Sequence, residues 1–151
     1  MSLFKATQVV NKAPVMTGDR ASDVIAIVGD FAIPTGFATN DVVEMVPLPA
    51  GYVPVDVNVD NAALGTTMTF NAGVLSGDFD GTGARTCGAE FMSAQAGQTA
   101  GIKRLAVAAG MRLAPTTNTR GLGFAFTSVS TPTVGAVVRM TLLARPQIEG
   151  V

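Results

Sequence analysis

The side chains that could do chemistry in this chain are carboxylates, because histidine is absent. Without an imidazole, Ser-His-Asp triads, His-bearing zinc sites and imidazole acid–base catalysis are all excluded. Cys87 is the one cysteine, so it has neither a histidine to take its proton nor a partner for an intrachain disulfide. It is expected as a buried, inert thiol in a protein made in a reducing compartment. Lys5, Lys12 and Lys103 carry no nucleophile signature around them, and a Ser-Lys dyad is not expected.

Three acids come closest to a site. Asp78-Phe79-Asp80-Gly81-Thr82-Gly83 places acids at alternate positions ahead of glycine, as a calcium loop does. The fifth position of such a loop is Thr82 here, and the twelfth, which must supply a bidentate carboxylate, is Ala89, with Glu90 one residue late. The stretch reads as a solvated glycine turn. Asp78, Asp80 and Glu90 are also the available carboxylates for a glycosidase pair, but their spacing does not set the separation that chemistry needs. The run 81–86 (Gly-Thr-Gly-Ala-Arg-Thr) lacks the third glycine of a dinucleotide loop. No catalytic residue, metal site or cofactor is expected.

Charge narrows the function further. The net charge is −1 and, apart from Lys103-Arg104, the ten basic residues are scattered singly, which disfavours direct nucleic-acid binding. No run approaches the roughly 20 apolar residues of a membrane helix. Charged residues are only 14% of the chain, against about 25% in an average soluble domain, and mean hydropathy is +0.40. A surface so poor in charge is expected to be covered by protein in the working state, as in obligate oligomers and lattice-bound subunits.

The elements that would carry these residues are strands. Residues 1–20 show no sustained period and read as an extended N-terminal arm, followed by a single domain over 21–151. The β-branched run 23–28 closes at Gly29-Asp30 and reads as a strand buried on both faces. A turn follows at 33–36, and a second strand over 41–46 ends at Pro47. From 53 to 60, Val53, Val55, Val57 and Val59 alternate with Pro54, Asp56, Asn58 and Asp60, a half-buried strand in which Pro54 points to a sheet edge. Met68, Phe70, Ala72 and Val74 face inward on the next strand. Residues 89–96 are strong helix formers stopped by Gly97, which predicts one short helix. Weaker strands are expected at 102–107 and 111–113. Two better ones follow, with Leu122, Phe124 and Phe126 inward on the first and Ala136, Val138, Met140 and Leu142 on the second. About eight short strands joined by Gly/Pro turns argue an all-β fold, a jelly-roll-like β-sandwich.

Laid end to end, the order over residues 22–145 resembles the small decoration, or cement, proteins of tailed bacteriophages. The strand 23–28 leads through Gly29-Asp30-Phe31-Ala32-Ile33-Pro34 to Asn40-Asp41-Val42-Val43-Glu44-Met45. Then Leu48-Pro49-Ala50-Gly51-Tyr52 delivers the alternating valine strand, before the 67–75 strand, the acidic glycine loop, the expected helix at Glu90-Phe91-Met92 and the closing strand at 137–143. The resemblance implies a jelly-roll virion subunit on the capsid exterior, made in the host bacterial cytoplasm. Its partners would be the major capsid protein and further copies of itself, as a trimer or alternatively a dimer. Another virion jelly roll, such as a head-fibre base or tail-associated subunit, is the alternative. A carbohydrate-binding module is a third reading, disfavoured because there is no Trp and Tyr52 is the one Tyr. Leu3, Phe4, Val9 and Val10 have no evident place in the sandwich and are expected at a subunit or capsid interface.

Overall fold

A computed structural model describes residues 1–12 and 23–147. Within them, alternating apolar residues form two facing sheets. The first holds β1 (Leu3–Lys5), β3 (Val42–Leu48), β8 (Arg120–Ser128), β5 (Thr69–Asp78) and β6 (Met92–Ala96), in that order. The second holds β2 (Ile25–Ala32), β9 (Val137–Pro146), β4 (Tyr52–Asn61) and β7 (Gly101–Arg104). Strands β2 to β9 are arranged as β2-β9-β4-β7 facing β3-β8-β5-β6, which is jelly-roll order, and every pairing among them is antiparallel. The ninth strand, β1, is an addition that pairs parallel with the edge of β3. Two single-turn helices complete the described residues, α1 (Thr7–Val10) and α2 (Ala108–Met111).

The core lies between the sheets. Leu122, Phe124 and Phe126 of β8, Phe70 and Ala72 of β5, and Val138, Met140 and Leu142 of β9 are all fully buried, as their alternation predicts. Phe126 sits at the centre of an aromatic group. Its ring meets Phe37 edge-on at 4.8 Å, and Phe70 and Phe124 lie at 5.7 and 6.2 Å.

Several expectations are corrected. The helix at 89–96 is instead the edge strand β6, with Ala72 opposite Met92 and Phe70 opposite Gln95. Phe91 and Met92 are wholly buried there, so closing the sheet edge over the core outweighs local helix propensity. The expected strand at 111–113 is replaced by the turn of α2, where Gly110 packs so tightly under Phe91 and Leu105 that a side chain would collide. Strand β2 continues past Gly29-Asp30 to Ala32 and is buried on one face only. Strand β3 runs through Pro47, which is possible because β1 covers only Val42 to Glu44 and leaves that edge without a strand that needs a donor. Pro54 likewise lies outside the span of β4 that β7 pairs. The alternation of β4 breaks at Val55, which a bulge between Pro54 and Asp56 leaves unpaired and only half-buried.

The extended arm is corrected over its described part. Residues 3–10 form β1 and α1 against the chain's own domain, and Ala6 and Val9 are buried in the core. The rest of that expected arm, residues 13–20, lies outside the described residues.

Replacing Phe126 by Ala removes the ring that joins these aromatics and should destabilise the fold by about 3–5 kcal/mol. Urea unfolding of the purified protein measures it.

Candidate functional site

Buried charge is concentrated on the outer face of the five-stranded sheet. Glu44 points outward from β3 and yet is wholly inaccessible to solvent. It can occupy that position because β8 presents glycines beside it: a side chain on Gly121 would run into the Glu44 carboxylate, and one on Gly123 into the Val43 carbonyl. The chain then folds over the carboxylate. Arg85, 4% exposed, pairs with Glu44 through Nη1, while its Nε and Nη2 donate to the carbonyls of Ser76 (2.5 Å) and Gly77 (3.2 Å). The Asp80 amide donates to both Glu44 oxygens, at 3.2 and 3.4 Å. On the rim, Lys5 of β1 bonds the Asp80 carboxylate and donates to the Asp80 carbonyl at 3.1 Å.

Glu90 is half-buried one strand along. Its Oε2 accepts the Val74 amide at 2.9 Å, over Gly73 and Gly88, where any Cβ would meet the carboxylate. Residues 78–91 therefore form a roof clipped to the sheet by two carboxylates and one guanidinium. The Cys87 Sγ lies within this roof, with the carbonyls of Gly88 (3.5 Å) and Gly123 (3.4 Å) both within reach of its one S–H. Burial, reinforced by the Glu90 carboxylate, pushes its thiol up to about 12, so it stays protonated at neutral pH.

The acids singled out from sequence thus have separate environments. Asp78 accepts a hydrogen bond from Asn118 at the surface (3.2 Å), Asp80 is held by Lys5, and Glu90 is tucked under Val74. Among the described residues no group of three or more acids, cysteines or histidines is placed to hold a metal. Glu44 and Arg85, both buried, were not singled out by spacing. The readable signal was an acid inside the apolar run 42–48 and two glycines at 121 and 123.

The four N-terminal apolar residues divide. Phe4 packs its ring against Phe37 at 5.3 Å and Phe31 at 5.8 Å, and Val9 is buried. Leu3 is half-buried in β1, and Val10 is exposed. Asp41 secures this end by accepting the Ser2 amide at 2.7 Å and the Ala38 amide at 2.9 Å.

Removing one partner of a buried ion pair strands the other, so Arg85→Met should cost about 3–5 kcal/mol. The double variant Glu44→Gln/Arg85→Met should be more stable than Arg85→Met alone, because no bare charge remains. A smaller effect tracks pH. The hydrogen bond from Lys5 holds the Asp80 carboxyl below its ordinary 3.8. That contribution is therefore present above 3.8 and is lost as pH falls through the lowered folded value. Thermal melts of the wild type and of Asp80→Asn should converge in that acid range.

No protein-family model matches the chain, and no curated protein matches it in sequence. Solved structures do. A chain in the capsid of Ralstonia phage GP4 is 26% identical, with a TM-score of 0.91 over 98% of this chain and 100% of that one. A chain in the capsid asymmetric unit of cyanophage Pam1 shares the fold at a TM-score of 0.61, 18% identical, over 91% of this chain and 96% of that one. The jelly roll described above is thus similar along nearly its whole length to chains of phage capsids, and this likeness supports a structural role in a virion.

Proposed function

We propose that the chain is a capsid decoration subunit, which binds the outer surface of an assembled phage shell and stabilises it. The observation that carries this reading is the whole-length likeness to a chain in the Ralstonia phage GP4 capsid. A low charge content supports it, since a chain with only 14% charged residues has a surface suited to being covered. The carboxylates support a non-enzymatic role: Glu44, Asp80 and Glu90 are taken up by Arg85, Lys5 and backbone amides and do not converge on one cleft. A subunit that binds only the assembled shell shifts the equilibrium toward it by mass action. Its partners are the major capsid protein and other copies of itself, as a trimer or else a dimer. Leu3 and Val10 are the N-terminal residues left to meet a neighbour, because Phe4 and Val9 are engaged within the subunit.

The test is co-sedimentation of the purified chain with DNA-filled capsids of its phage that lack it, and with isolated tails. Binding to capsids, together with a homo-oligomer in sedimentation equilibrium at micromolar concentration, is expected. Binding to tails, or to neither, would refute the reading.

A further inference from the structure

Lys103 points inward from an edge strand. Strand β7 ends the four-stranded sheet, and its side chains alternate: Ile102, 75% exposed, and Arg104 lie outside, while Lys103 between them turns toward the facing sheet. Its Nζ donates to the Asn61 Oδ1 at 2.5 Å and stands 5.9 Å from the centre of the Phe70 ring, which belongs to β5 of the other sheet. Asn61 is itself buried, and its Nδ2 donates to the carbonyls of Ala62 (2.7 Å) and Thr99 (3.0 Å), so its oxygen is what remains for the lysine. An ammonium has three N–H donors, and among the described residues Asn61 takes one. The other two are left to water, which reaches this half-buried side chain at the open edge of β7. Partial burial already holds the amine below its ordinary 10.5.

In every other respect that edge is fit to gain a strand. The Leu105 amide bonds the Val57 carbonyl at 2.9 Å, so the alternation of the ladder turns the Ile102 and Arg104 amides to the free side, and no proline interrupts them. We infer that Lys103 keeps β7 closed to a second copy of this chain. A strand added along β7 would set its own inward side chains over the opening between the sheets. The ammonium would then lose its water with no acceptor to replace it, a penalty that the hydrogen bonds of a four-residue edge do not offset. The neighbouring edge, β6, is spoiled differently: its register on β5 shifts between Phe70 and Ala72, and Ala94 sits at a φ of 49°. Contacts between copies are therefore directed away from this side of the sandwich.

The free full-length protein is enough to test this, so the result does not depend on the capsid reading. Lys103→Met keeps an unbranched side chain over Phe70 and removes the charge. In sedimentation velocity across micromolar concentrations, the variant should form species at least about twice the mass of the wild-type particle, as β7 edges pair about a two-fold axis. Hydrogen exchange at the Ile102 and Arg104 amides should slow in parallel. Adding Ile102→Pro separates edge pairing from misfolding. The amide at 102 faces away from β4, so proline leaves the chain's own ladder intact while blocking a new one. Lys103→Met/Ile102→Pro should return to the wild-type mass. A Lys103→Met protein that keeps the wild-type mass would overturn the inference, and so would association that survives Ile102→Pro.

Discussion

A single buried ion pair governs how the five-stranded sheet is finished. Glu44 projects from β3 onto a face where glycines at 121 and 123 leave a hollow, and a carboxylate there without a partner would be severely penalised by desolvation. Arg85 supplies the partner, and the backbone carbonyls of Ser76 and Gly77 accept from its Nε and Nη2. The segment from Asp78 to Phe91 must therefore lie over the sheet. Its path places Glu90 over Gly73, sequesters the Cys87 thiol and delivers Phe91 and Met92 to the core at the start of β6.

The two sheets consequently differ on their outer faces. The five-stranded sheet is roofed by its own chain, and at one edge β1 adds a strand whose Lys5 reaches the roof at Asp80. The four-stranded sheet has no comparable roof among the described residues. Its outer face carries two exposed ion pairs, Asp30 with Arg139 and Asp56 with Arg104, and an apolar trough beside Val55. Exposed pairs of this kind contribute little to stability.

The N-terminus illustrates how local reading falls short. Residues 3–10 show no period because a three-residue strand and a single helical turn are too short to display one. What organises them is distant in sequence: the register of β1 on Val42 to Glu44, the ring of Phe4 against Phe31 and Phe37, and the Gln8 side chain accepting the Asp30 amide at 2.9 Å.

Much of the jelly roll was legible from residue order alone. Period-two alternation in the strands that became β4, β5, β8 and β9 assigned the inward faces, and Gly/Pro clusters marked most of the turns, because both signals are local and set by the pleat and by allowed dihedrals. The absence of histidine and the faulty calcium spacing were equally local, and they removed whole classes of chemistry. Tertiary structure alone decided the rest. Residues 92–96 became a strand because an edge of the sheet needed closing, Val55 left the core because a bulge shifted its register, and Glu44 became a buried charge because Arg85 and two glycines of β8 met it there. Each of these outcomes depends on a partner far away in the chain, and no period within a single strand encodes which partner that is.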